Sequence, residues 1–113
     1  MSKRIAVVIS EDPCSSARPV EALRIALGLC VGDHETTVIL LGPASQLLME
    51  NTENIIEVDI LEKYLPSFQD LAVPFIVEPR TSMEGWSDDF SITTRSVDEI
   101  RQFVRSADRS LVF

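Results

Sequence analysis

The stretch Arg4–Ser10, RIAVVIS, is a continuous β-branched run with no polar residue inside it. A strand buried on one face alternates apolar and polar residues; an unbroken run marks a strand buried on both faces. Such strands belong to parallel sheets with helices on either side. Two further runs read the same way, Thr36–Leu41 (TTVILL) and Pro74–Val77 (PFIV), and Ser91–Arg95 (SITTR) and Arg109–Phe113 (RSLVF) read as shorter strands. Between the runs lie helical patterns, and this alternation predicts an α/β domain, Rossmann-like, with a five-stranded, mainly parallel sheet.

The helical segments carry their own punctuation. Pro19 suits a first helical turn, where its missing N–H costs nothing, and Gly32 suits a left-handed C-terminal position. The helix between them is apolar on nearly every side: Val20, Leu23, Leu27, Cys30 and Val31 on one face, Ala22, Ile25, Ala26 and Leu29 on much of the rest. A surface helix shows a cleaner polar side. This one is either deeply buried or packed against another subunit as well, and in so small a domain the second is expected. Pro43 opens a short helix through about Met49, and Asn51–Glu57 reads as polar loop. A helix over roughly Asp59–Leu71 contains Pro66, which predicts a kink or a split. Thr81–Asp89 is polar, with room for one helical turn ending at Gly85. Ser96 and Glu99 have the spacing of a capping box ahead of an apolar stripe of Ile100, Phe103 and Val104.

Size and charge exclude several function classes. The 113 residues suit one domain, 1–113, and their composition is ordinary for a globular protein. Net charge is −8, which repels phosphate backbones, so no direct nucleic-acid partner is expected. Arg95, Arg101, Arg105 and Arg109 cluster near Asp98, Glu99 and Asp108, as a solvated face with internal ion pairs or as a basic docking patch. No apolar run is long enough for a signal-peptide core or a membrane span, so a cytoplasmic protein without membrane attachment is expected. Two cysteines and one histidine without metal-ligand spacing predict no metal site.

Ligands of open parallel sheets bind at the carboxyl ends of the strands. The first loop there, Glu11–Ala17, holds a thiol, Cys14, and two hydroxyls, Ser15 and Ser16, before a helix N-terminus. That setting favours anions and thiolates. Cys14 is either the reactive residue of the chain or an incidental loop cysteine, because Glu11 and Asp12 oppose thiolate formation. The loop lacks the glycine spacing of dinucleotide binders and of P-loops, and no cofactor is expected. Nor is there the aspartate and lysine set of a phosphoacceptor domain. After the third strand, Arg80 with Thr81 and Ser82 could hold an anion, or Arg80 could pair with Glu78 or Glu84. Trp86 nearby is a partial lid or an interface anchor. His34 falls in a turn at the opposite end of the sheet, and Cys30 on the apolar helix face reads as core or interface.

Three stretches resemble the DsrE/DsrF/TusC family of small sulfur-relay proteins. Lys3–Ser10 with its serine-rich loop and Arg18-Pro-Val-Glu-Ala-Leu23 resembles the family's opening strand, loop and "REALD"-type helix. Thr37-Val-Ile-Leu-Leu-Gly-Pro-Ala-Ser-Gln-Leu-Leu48 resembles its second strand and the "GV-x-QLL" helix, and Ala107-Asp-Arg-Ser-Leu-Val-Phe113 the "DRVLxF" ending of the TusC/DsrF branch. The resemblance implies a DsrE-like fold and trimers or hexamers, built from one chain or with related DsrE-family subunits. It also implies a role in passing persulfide sulfur, for tRNA thiolation or sulfur oxidation.

One departure matters. Sulfur-carrying members place a cysteine at the start of the loop after the third strand, where this chain reads Phe75-Ile-Val-Glu-Pro-Arg80. A persulfide needs a thiolate sulfur, which neither Glu78 nor Ser82 supplies. The expected function is therefore a non-catalytic, oligomerising TusC-like subunit. Two alternatives stand beside it: a sulfurtransferase using Cys14 as persulfide carrier, and a sensor binding a small anion between the Cys14 and Arg80 loops.

Overall fold

A computed structural model describes residues 3–48, 54–79 and 90–113. Strand β1 spans Arg4–Ile9, helix α1 Arg18–Val31 and strand β2 Glu35–Leu40. A 3₁₀ segment, Gly42–Leu48, precedes helix α2 (Val58–Asp70) and strand β3 (Pro74–Val77). Strand β4 (Ser91–Thr94), helix α3 (Val97–Ser106) and strand β5 (Arg109–Val112) follow. The five strands form one sheet in the order β4-β3-β2-β1-β5, and every pairing is parallel. The expected sheet, its strand number and its helices on both faces are all present.

The β1 run is buried on both faces, as its composition requires. Ile5, Val7 and Ile9 point into a core shared with α1, the 3₁₀ segment and α2, whereas Ala6 and Val8 point the other way, toward α3. The first core is the larger and holds Leu23, Val38, Leu40, Leu61 and Phe75. Phe75 sits between Phe68 and Phe90, with ring centroids 5.6 and 5.9 Å away, in tilted and edge-on arrangements. The second core is a thin layer in which Ile100 covers Ala6, Val8, Ile39 and Ile76.

Several local details differ from the expectations. The short helix expected after β2 is present, as a 3₁₀ helix over Gly42–Leu48. Pro66 neither splits nor ends α2, because it lies on the exposed side, where water can serve the carbonyl its ring leaves without a donor. Within the expected polar loop, Ile55 is buried in the larger core. The left-handed residue after α1 is Asp33 (φ 68°), while Gly32 has φ −81°. Asp33 N–H donates to the Cys30 carbonyl and His34 N–H to the Leu29 carbonyl, the paired bonds of a Schellman ending. α2 ends the same way, with Ala72 (φ 51°) donating to Gln69 and Val73 to Phe68. The helical turn expected near Gly85 lies outside the described residues.

The capping box of α3 is present in full. Glu99 N–H donates to Ser96 Oγ and Ser96 N–H to Glu99 Oε1, both at 3.2 Å. These bonds, with Arg95 nearby, hold the Glu99 carboxyl below its ordinary range. Its contribution to α3 is therefore present at neutral pH and is lost as pH falls through the lowered value. Ser96→Ala removes one half of the box and is expected to destabilise the protein by about 1 kcal/mol in urea unfolding. Ala72→Gly relieves a left-handed alanine and should stabilise it by roughly 0.5–1 kcal/mol in the same measurement.

Candidate functional site

The carboxyl ends of the strands gather the β1–α1 loop, the 3₁₀ segment and the residues after β3. Residue Asp12 organises the first of these. Its Oδ1 accepts from Cys14 N–H at 2.9 Å, and its carbonyl accepts from the N–H groups of Ser15 and Ser16 at 3.0 Å. The loop is tied to the segment before α2, with Ile56 N–H donating to the Pro13 carbonyl at 2.9 Å. α1 begins at Arg18; Ala17 caps it without a side-chain bond, and Ser16 Oγ accepts from Arg18 N–H at 3.1 Å. Ser16 is thereby engaged in the turn, while Ser15 is exposed.

Cys14 is half-buried and does not stand free. Its Sγ donates to Gln46 Oε1 at 3.3 Å, and Gln46 Nε2 donates to the Pro43 carbonyl at 3.0 Å and to Asp12 Oδ1 at 3.4 Å. The thiol proton is thus held by an acceptor that is fixed from two sides. Partial burial, and then the Asp12 carboxylate, push the Cys14 thiol above its ordinary pKa. Both effects oppose a reactive thiolate. Gln46 is a site residue that sequence reasoning missed, since it was quoted only as part of a helical motif.

Beside this cluster, a cleft of about 370 Å³ opens between the ends of β2 and β3, lined by Leu40, Gly42, Pro43, Ser45, Gln46, Glu78 and Pro79. Gly42 turns the chain at φ 52°, a conformation that suits glycine. Ser45 is buried and spends its hydroxyl on the Gly42 carbonyl, 3.0 Å away. Among the described residues the cleft has one carboxylate, Glu78, and no cation. Arg80, Thr81 and Ser82, expected as anion ligands, lie outside the described residues, as do Glu84 and Trp86. The structure thus joins Cys14, Ser16, Asp12 and Gln46, and places Glu78 just after β3, on the wall of the cleft.

On the other flank, Ser10 N–H donates to the Phe113 carbonyl at 3.0 Å, and Ser10 Oγ does so at 3.2 Å. Arg18 lies over the Phe113 ring, 6.0 Å from its centroid, and pairs with Glu11 at 3.2 Å. This cation is already engaged. Of the C-terminal arginines, Arg95 pairs with Glu99 at 4.0 Å, while Arg101, Arg105 and Arg109 are exposed. His34 sits at the far end of the sheet and accepts from Lys3 N–H at 3.2 Å. Cys30, also far from the cleft, is half-buried against the larger core. No group of three or more metal-ligating side chains occurs among the described residues, and no helix there is long and apolar enough to cross a membrane.

With this geometry in place, comparison with solved structures decides the architecture. The fold is similar to that of the ychN protein from E. coli. The two align over 100% of each chain with a TM-score of 0.80 and 21% sequence identity. That neighbour has a DsrE/TusC-like fold. No protein-family model and no curated protein matches the sequence.

The state of Cys14 is directly measurable. Alkylation by iodoacetamide, followed residue by residue by mass spectrometry, should show Cys14 reacting with a pH midpoint above that of a free thiol. Asp12→Asn is expected to lower the midpoint and speed the reaction several-fold near neutral pH. A midpoint below the free-thiol value would contradict the observed surroundings.

Proposed function

We propose that the chain is a non-catalytic subunit of the DsrE/TusC kind, nearest the cysteine-lacking TusC/DsrF branch, that oligomerises and supports intracellular sulfur relay. The observation that carries this reading is the pairing of a full-length fold likeness with an unsuited thiol inventory. The chain has only two cysteines. Cys30 lies at the wrong end of the sheet, and Cys14 is hydrogen-bonded to Gln46 with its pKa raised. The carrier position after β3 is taken by Glu78, a carboxylate with no sulfur chemistry. A subunit of this design contributes surface and shape to an assembly, and a partner contributes the sulfur. The relay would serve tRNA thiolation or sulfur oxidation, in a trimer or hexamer of this chain or with related subunits.

The test uses the whole chain with a cysteine desulfurase and cysteine. In sulfur transfer, the Cys14 thiolate attacks the terminal sulfur of the donor persulfide and releases the donor thiolate. On the proposed reading, mass spectrometry detects no sulfur adduct on Cys14, and light scattering gives a mass well above the 12.6 kDa of one chain. An adduct lost in Cys14→Ser would assign the chain a carrier role instead. A monomer at micromolar concentration would remove the subunit reading.

A further inference from the structure

The amino ends of β1, β2 and β3 hold a second cavity, of about 240 Å³, at the opposite end of the sheet from the Cys14 cluster. Side chains alternate along a strand, so Arg4, Glu35, Thr37 and Pro74 stand on the face covered by α3, with Ala6 and Ile76. Phe103 and Ala107 of α3 close the cavity from above. Thr36 also lines it, although it pairs across the ladder with Ile5, whose side chain lies in the larger core on the other face. What Thr36 presents to the cavity is therefore its main chain.

That main chain carries an unmet acceptor. In a parallel ladder, alternate residues of a strand bond to the neighbour on one side and the residues between them to the other. Glu35 N–H donates to the Lys3 carbonyl, so Glu35 and Thr37 serve β1, and Thr36 serves β3. The register Val38↔Phe75 assigns the Thr36 carbonyl to the nitrogen of residue 74. That residue is Pro74, which has no N–H to give. No other donor reaches this carbonyl among the described residues, and Thr36 is buried. A buried acceptor of this kind calls for a partner from outside the ladder.

Charge adds to it. Arg4 and Glu35 flank the cavity with Nε and Oε2 3.8 Å apart, beyond hydrogen-bonding distance, and their side chains are 54% and 77% exposed. Neither has another ion-pair partner among the described residues. Of the other charges nearby, Asp108 accepts from Arg4 N–H at 2.8 Å, and Arg109 pairs with Ile5 and so stands on the opposite face. A carboxylate beside a bare carbonyl suits a group with several N–H donors, such as an ammonium, and a guanidinium suits a carboxylate. A purely anionic ligand would meet Glu35 and leave Thr36 without a donor, and a purely cationic one would meet Arg4. A zwitterion with its two charges on adjacent carbons satisfies all three.

We propose that this cavity binds a free α-amino acid with an apolar side chain. Its carboxylate lies on Arg4, its ammonium on Glu35 and the Thr36 carbonyl, and its side chain against Phe103. The volume falls below the roughly 300–1,000 Å³ of drug-sized sites, which limits the ligand to a small molecule. This site rests on neither the sulfur relay nor the oligomeric state.

Isothermal titration calorimetry of the whole chain with leucine, valine, methionine and phenylalanine should give saturable binding for at least one of them. For leucine as the binder, leucinamide lacks the carboxylate and isocaproate lacks the ammonium, and each should bind about tenfold more weakly. Arg4→Gln and Glu35→Gln should each weaken binding about tenfold, with circular dichroism showing an unchanged fold. Pro74→Ala supplies the missing N–H to Thr36, and should weaken binding several-fold while raising the thermal midpoint of the free protein. No saturable heat from any of the four, or an affinity that both charge variants leave unchanged, would overturn the site. Analogues binding as tightly as the amino acid would overturn it too. Each of these results leaves the subunit reading as it stands.

Discussion

The structure depends on keeping water and open edges away from β1. Ala6 and Val7 are adjacent, point to opposite faces and are both fully buried. Two hydrogen-bonded neighbours, β2 and β5, are therefore needed at the sides, and apolar layers are needed above and below. On one face three helical segments meet the demand. On the other, α3 alone covers the centre. A helix about 10 Å wide shelters two or three strands spaced about 4.8 Å apart. The edge strands on that side accordingly present Ser91, Thr93 and Ser110, whose exposure to water costs little.

The same arrangement sets what the carboxyl end of the sheet can do. Short loops bring a thiol, an amide and a carboxylate within hydrogen-bonding distance, and the contacts satisfy one another. Cys14 donates to Gln46, Gln46 is held by Pro43 and Asp12, and Asp12 also fixes the loop backbone. A closed network of this kind favours rigidity over turnover. Chemistry at a strand end needs a group held ready and left unsatisfied. Among the described residues, Cys14, Gln46 and Asp12 are spent on one another and on the loop backbone.

Most of the architecture was legible because composition and periodicity report burial directly. RIAVVIS could only be a strand covered on both faces, and Ser96 with Glu99 could be read as a cap from spacing alone. What escaped was whatever depends on partners distant in the chain or on fine dihedral balance. Gln46 meets Cys14 across 32 residues, and nothing local announces the meeting. Asp33 rather than Gly32 takes the left-handed position, since the register of the helix end, and not residue preference alone, decides which residue lands there. Of the kink or split expected at Pro66, the split does not occur, and sequence does not say which side of the helix faces water. α1 was read as apolar all round, yet Arg18, Glu21 and Arg24 give its first turns an exposed polar side and leave only the last turns bare.

The pairing of β1 with β5 has a consequence for how the chain reaches this state. Ser10 and Phe113 are 103 residues apart, and Arg4 and Asp108 are 104 apart, yet they are hydrogen-bonded neighbours. β2 closes on β1 after a single intervening helix, whereas β5 waits for every other element. During synthesis, one edge of the most apolar strand therefore stays open until β5 has been made. Pairing at such separation is slow, and an open apolar edge recruits other chains in the interval. Productive folding is then a race between this last closure and unwanted pairing, and loss of β5 would leave the chain with no means of winning it.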